Sequence, residues 1–135
     1  MGPNFVDINW LAVLVAAVSA FLLGGIWYGP LFKHAWCREN GIDPNAPPKG
    51  HPGKVFGTAF LAALVAAAAF AIILRPNPSL FIAVHAGFLT GIAYVAMSFG
   101  INYAFAGRSF KLWLIDGGYH TAQFTLYGLI LGPLH

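Results

Sequence analysis

The last quarter of the chain places polar side chains inside a run that is otherwise apolar, LIDGGYHTAQFTLYGLIL. These side chains are Asp116, His120, Gln123 and Tyr127. They follow one another at helical spacing, so on a helix they lie within about 60° of one another and form a single stripe. A carboxylate one turn from an imidazole can share or pass a proton. The stripe could therefore bind or relay a proton or a small cation.

The composition shows what must surround this stripe. Of 135 residues, 59% are hydrophobic and only 8% are charged, and the mean hydropathy is +0.72. These values lie far outside the usage of soluble globular proteins. The sequence therefore predicts an all-α integral membrane bundle of four transmembrane helices, forming a single domain over residues 1–135, with its function in or at the bilayer.

Four apolar runs predict the membrane spans. They cover about residues 8–28, 55–74, 80–105 and 112–134, and each is long enough to cross a hydrocarbon core of about 30 Å as a helix. The runs lack the strict alternation of barrel strands. The proline-rich segment 29–54 is predicted to be an aqueous loop that opens with a short interfacial stretch.

The orientation follows from the positions of Lys and Arg. Six of the seven, Lys33, Arg38, Lys49, Lys54, Arg108 and Lys111, fall in the loops 29–54 and 106–111, and only Arg75 lies in the other connection. The positive-inside rule predicts that these two loops are cytoplasmic and that both termini face outward. Aromatic residues near the span ends are interpreted as interfacial anchors; these are Trp10, Trp27, Tyr28, Trp36, Tyr103 and Trp113.

Asp116 is expected to face protein, because a charged group facing lipid costs at least about 2.5 kcal/mol. The third span offers a matching face, which consists of Ala83, Gly87, Gly91, Tyr94, Ser98 and Asn102. An antiparallel hairpin closed by AGRSFK would pair Asn102 with Asp116, Ser98 with His120, and Gly91 with Tyr127. The predicted ion or proton site comprises Asp116, His120, Gln123, Ser98, Asn102 and Tyr94, and Gly87, Gly91 and Tyr127 are predicted to pack the helices.

Two classes of function remain open from the residues. In the first, the protein is a small transporter or channel component, acting as a homo-oligomer because four helices enclose little volume, and the stripe binds or relays a proton or cation. In the second, it is a structural or accessory membrane protein. Amide and hydroxyl side chains in spans often only join helices, at about 0.6 kcal/mol each.

Other chemistries are weakly supported. His34, Cys37 and His51 are metal-ligand types, but no repeated Cys/His pair completes a tetrahedral set. A bis-histidine haem with His85 and His120 would need ligands at one depth, and their predicted depths differ by roughly 12 Å. No phosphate-binding glycine loop or serine nucleophile is evident. We expect no metal, no cofactor, no nucleic-acid partner and no enzymatic activity.

Two segments of the sequence are similar to each other. GIWYGPLFKHAW at 25–36 and GINYAFAGRSFKLW at 100–113 share Gly-Ile-x-Tyr, then Phe-Lys, then Trp. This similarity favours a duplicated two-helix hairpin, although chance and shared interface chemistry can also produce such a similarity.

A resemblance covers nearly the whole chain. The segments FVDINWLAVLVAA, GGIWYGPLFKHAW, RENGI and LIDGGYH resemble an uncharacterised family of small four-span bacterial membrane proteins, domain of unknown function seventeen-sixty-one. The resemblance implies four membrane helices in a prokaryotic inner membrane. It implies no activity and no catalytic residue.

Overall fold

The computed structural model describes residues 8–47, 50–74 and 78–134. Within these ranges the chain is helical and contains no strand, so the all-α prediction is confirmed there. The elements are α1 (Trp10–Ile26), a π-helical segment (Trp27–Leu31), α2 (Lys33–Asn40), α3 (Pro52–Ile73), α4 (Leu80–Leu89), a second π-helical segment (Thr90–Val95), α5 (Ala96–Ala106) and α6 (Phe110–Leu131). Lys49 and Arg75, which contribute to the predicted orientation, lie outside the described residues.

Local capping fixes where the helices begin. The side chains of Asn9, Ser79 and Ser109 each accept a hydrogen bond from a backbone N–H of the first turn of α1, α4 and α6, at 3.1 Å in each case. Such caps satisfy N–H groups that have no partner inside the helix. Gly107, with φ of +70°, ends α5 in a left-handed conformation that favours glycine. A tight turn therefore joins α5 to α6.

Among the described residues, three helices are long and apolar enough to cross a membrane: Trp10–Leu31, Pro52–Ile73 and Leu80–Ala106. This is consistent with a multi-pass membrane protein. The helix α6 has 22 residues, as many as α3, but its polar stripe lowers its hydropathy and it is not among the three. The segment 29–54 was predicted to be an aqueous loop that opens with a short interfacial stretch. Within it the first helix continues to Leu31, the short helix α2 follows, and α3 begins at Pro52.

The helix α6 lies at the centre of the fold. It packs against α1 on one side and against α4 and α5 on the other, while α3 packs mainly on α1. The α1–α3 contact is built from small side chains, including Ala16, Ala20 and Ala67, each fully buried. Small residues let helix backbones approach closely, which replaces the hydrophobic driving force that is missing in lipid.

Glycines set how α4 lies against α6. A Cβ atom at Gly87 would overlap the carbonyl of Phe124, and one at Gly91 would lie 2.6 Å from Thr121 Cα. Gly91 therefore packs beside the backbone of His120 and Thr121, so the predicted pairing of Gly91 with Tyr127 is wrong. That pairing was counted outward from the turn, residue by residue along both helices. The observed register is set by the glycines at which the two helix backbones contact each other.

The second π-helical segment changes which face of the third long helix meets α6. A π turn adds one residue to the helix, so the residues that follow are rotated about the axis. In consequence Ala96, Phe99 and Tyr103 turn toward α6. The residues predicted to do so, Tyr94, Ser98 and Asn102, are exposed instead. The predicted pairs Asn102–Asp116 and Ser98–His120 are therefore wrong by one residue on this helix.

Candidate functional site

Asp116 is buried, with 7% of its surface exposed, and each of its carboxylate oxygens accepts a phenol hydrogen bond. The hydroxyl of Tyr28 donates to Oδ1 at 2.6 Å, and the hydroxyl of Tyr103 donates to Oδ2. Hydrogen bonds to an ionised acceptor are short and about twice as strong as neutral ones. Tyr28 follows α1 and Tyr103 belongs to α5, so one carboxylate joins three separate helices.

The π-helical segment after α1 brings two consecutive residues onto α6. Trp27 donates its indole N–H to the carbonyl of Ile115 at 2.8 Å, and the next residue, Tyr28, reaches Asp116. The segment contains Pro30, which has no backbone N–H and cannot close an ordinary helical turn. Such π turns inside helices are frequent at functional sites.

Tyr119 of α6 packs against the Tyr28 ring. Its hydroxyl donates to the carbonyl of Ala20 at 2.9 Å, and the two tyrosine ring centroids are 5.4 Å apart. Trp36 of α2 contacts the Tyr28 ring edge to face at 6.1 Å. The tyrosine that donates to Asp116 therefore contacts aromatic rings from two other helices, α6 and α2.

A second polar network runs from α6 to α3 and ends on the backbone. Tyr127, fully buried, donates to the carbonyl of Ala63 at 2.9 Å. Because a carbonyl only accepts, Tyr127 must in turn accept the hydrogen bond from Gln123 Nε2 at 2.8 Å. Gln123 Oε1 then faces His120 Nδ1 at 2.6 Å, which requires that Nδ1 carries the proton.

Asp116 and His120 have different partners despite being one turn apart. Asp116 is bonded to the two tyrosines, whereas His120 bonds Gln123 and stacks on the Phe99 ring at 4.9 Å. No group in the described parts of the chain is seen hydrogen-bonded to His120 Nε2. The two ionisable residues of the stripe therefore belong to two neighbouring networks.

The other residues of the predicted site lie elsewhere. Ser98 turns back and donates to the carbonyl of Tyr94 at 2.7 Å, and Tyr94 is 71% exposed. Asn102 is also exposed. None of the three joins Asp116 or His120.

Sequence reasoning missed the two tyrosines that contact Asp116. Both were interpreted as interfacial anchors because each lies near a span end. Tyr28 and Tyr103 nevertheless occupy the same place in the two Gly-Ile-x-Tyr segments, and both copies converge on one carboxylate. The similarity of the two segments was the sequence signal that could have identified these tyrosines.

Metal-ligating side chains do not assemble in the part of the chain that is described. No three His, Cys, Asp or Glu residues come together there. Cys37 is buried in α2, and His85 bonds the carbonyl of Phe81 in its own helix at 2.8 Å.

A comparison with protein-family models matches residues 11–132 to the family described as "Protein of unknown function (DUF1761)". The chain belongs to this family. The predicted resemblance is thereby confirmed, and the DUF1761 match includes Asp116, both tyrosines that contact it and the His120 network. No curated protein and no solved structure matches the chain.

Proposed function

We propose that this protein is a proton-binding component of a membrane transport system, in which Asp116 takes up and releases the proton. One observation carries the proposal: a buried carboxylate holds one phenol hydroxyl on each oxygen, from two different helices. Ionisable residues inside membrane bundles commonly mark ion or proton pathways.

The chemistry of this arrangement gives it two states. The ionised carboxylate accepts from both Tyr28 and Tyr103. When Asp116 takes up a proton, the protonated oxygen becomes a donor, so the tyrosine that faces it must turn its own O–H toward another acceptor. Proton uptake thus loosens one of the two phenol hydrogen bonds that join Asp116 to the helices carrying Tyr28 and Tyr103.

We propose that α6 is the fourth membrane crossing. Support comes from its length and its central place in the fold. The polar stripe faces protein, because Asp116 bonds Tyr28 and Tyr103 and Tyr127 bonds the backbone of α3. We keep the predicted orientation, with the loops 29–54 and 106–111 cytoplasmic and both termini outside. The proposed location is the inner membrane of a prokaryotic cell.

We also propose that the protein works as a homo-oligomer and is not an enzyme. An apolar groove of about 570 Å³ runs along α6 between α1 and α4, with Ala122 and Thr125 in its floor and Leu23 and Phe88 on its walls. Small residues in such a groove suit close packing of a second helix. The site offers a carboxylate and phenols, which suit proton exchange.

The network formed by His120, Gln123 and Tyr127 supports the alternative, a structural or accessory role, for part of the polar stripe. In this network His120 donates to Gln123, Gln123 donates to Tyr127, and Tyr127 donates to the Ala63 carbonyl. A carbonyl cannot pass a proton onward, so this network supports a structural role in which the polar side chains of α6 lock it to α3.

Proton flux in liposomes tests the proposal. The full chain is reconstituted with a pH-sensitive dye inside, and a potassium diffusion potential with valinomycin drives protons inward. We expect voltage-driven acidification above that of protein-free liposomes, reduced at least tenfold by Asp116→Asn. The matched control, Asp43→Asn, removes an exposed acid near α2 and should retain the flux.

Two outcomes would contradict the proposal. One is equal flux in the wild type and in Asp116→Asn. The other is an absence of flux in both, combined with loss of assembly in Asp116→Asn, which would favour the structural alternative.

A further inference from the structure

A second groove, of about 550 Å³, opens between α1 and α3. Its floor includes Gly24, Gly25 and Gly29, and aromatic side chains, among them Phe21 and Phe56, form its walls. The volume falls within the range of small-molecule sites, which bury an apolar ligand against a few polar groups. The groove is therefore large enough for part of an amphiphile.

One cation lies at an end of this groove. Lys33, the first residue of α2, is an exposed lining residue. Along the chain it follows Phe21 by a helical rise of about 18 Å. No acidic residue lines the groove, and Lys33 has no carboxylate partner in the described parts of the chain. The lining thus presents an apolar trough that ends in a positive charge.

Two of the three glycines in the floor are not explained by packing inside the chain. A Cβ atom at Gly25 or at Gly29 would meet nothing within 4 Å. Glycine inside a helix costs roughly 0.5–1 kcal/mol relative to alanine. The space above these glycines is therefore open in the protein itself, and a bound molecule can use it.

We propose that this groove binds one acyl chain of an anionic phospholipid, with the lipid phosphate at Lys33. The apolar walls match the acyl chain, and the ammonium group matches the phosphate. Lysine near a membrane surface extends its charged end toward the headgroups. The inference does not depend on proton binding, although Tyr28 and Tyr119 contribute to both sites.

Lipid titration by native mass spectrometry tests the site on the purified full chain. The probes are phosphatidylglycerol and phosphatidylcholine with identical acyl chains. Lys33→Gln removes the charge, and its control is Lys111→Gln, an exposed lysine at the matching Phe-Lys position that does not line the groove. Gly25→Leu fills the groove, and its control is Gly57→Leu, which has equally open space on α3.

We expect phosphatidylglycerol to bind more tightly than phosphatidylcholine. Lys33→Gln should weaken phosphatidylglycerol binding about fivefold, and Lys111→Gln should leave it unchanged. Gly25→Leu should abolish the tight site, while Gly57→Leu keeps it.

Three results would overturn the inference: equal affinity for the two lipids, equal effects of the two lysine variants, or undiminished binding by Gly25→Leu. Asp116→Asn is expected to bind lipid as the wild type does. Failure of the lipid site can therefore be distinguished from failure of the proton site.

Discussion

The hydroxyls of Tyr28 and Tyr103 bracket a single carboxylate, each donating to a different oxygen of Asp116. The two tyrosines come from different helices and hold the same place in the two Gly-Ile-x-Tyr segments. A change in the charge of Asp116 therefore acts on both tyrosines, and on the two helices that carry them, at once. This relationship is the basis of the proposed proton binding.

Removing one phenol should weaken the fold measurably. Tyr28→Phe or Tyr103→Phe loses one hydrogen bond to a charged acceptor, which is worth about 1.5–3 kcal/mol. We expect the free energy of unfolding, measured by titration with denaturing detergent, to fall by that amount. The control is Tyr94→Phe, whose ring is exposed and which should change nothing. Because both phenols share one carboxylate, the double variant should be non-additive, and strict additivity would argue against a shared acceptor.

The glycine contacts between α4 and α6 predict a contrast between two Gly→Ala substitutions. Gly87→Ala should destabilise the protein by about 1–3 kcal/mol, because its Cβ atom would enter the Phe124 carbonyl. Gly57→Ala meets nothing within 4 Å and should be neutral or stabilising by up to about 1 kcal/mol. Thermal unfolding followed by circular dichroism measures both. Equal effects would mean that the register of the two helices differs from the one described.

Much of the fold could be predicted from the sequence. Long apolar runs require helices in a membrane, because only helices or closed barrels satisfy the backbone there. Small residues at four-residue spacing, such as Ala16 and Ala20 of α1, are typical of close helix contacts, and in the structure they pack in the core with Ala67 of α3. The stripe on α6 was also evident, since its spacing alone puts Asp116 and Gln123 on one side, and both are buried.

The partners of that stripe could not be predicted from helical spacing alone. An ordinary helical wheel assumes a constant rotation per residue, and the π turn at Thr90–Val95 breaks that assumption. The wheel therefore selected Ser98 and Asn102, whereas Phe99 and Tyr103 make the contacts. Tyr28 was missed for a different reason, because hydropathy does not distinguish a tyrosine that anchors at the interface from one that turns inward. The repeated Gly-Ile-x-Tyr segment was the sequence signal for it.

The buried hydroxyl of Tyr127 provides a test of the second network. Tyr127→Phe removes the donor to the Ala63 carbonyl and the acceptor for Gln123. We expect a loss of about 1–3 kcal/mol in unfolding free energy, because buried polar groups are left without partners. Ser98→Ala is the control, since its hydroxyl is exposed and bonds only its own helix. We expect Tyr127→Phe protein that remains folded to keep its proton flux, because Tyr127 and Asp116 belong to different networks. Loss of flux from folded protein would instead place this network on the proton path.

The groove on α6 predicts an effect on assembly. Ala122→Trp fills the groove and should shift the protein from oligomer to monomer, because a second helix can no longer pack closely. Ile101→Trp places the same ring on an exposed position of α5 outside that groove and should leave assembly unchanged. Light scattering in detergent reports the mass. An unaltered oligomer in Ala122→Trp would mean that copies meet elsewhere.

Infrared difference spectroscopy measures the protonation of Asp116 most directly. The chain has only four acidic side chains, so a protonated-carboxyl band that appears on acidification of the protein in bilayers can be assigned by single substitutions. The proposal predicts a band that is absent from Asp116→Asn, shifted in frequency in Tyr28→Phe because a hydrogen-bond partner is lost, and retained in Asp43→Asn. An acid-induced spectrum that is identical in the wild type and in Asp116→Asn would show that this carboxylate does not take up a proton, and would contradict the central claim.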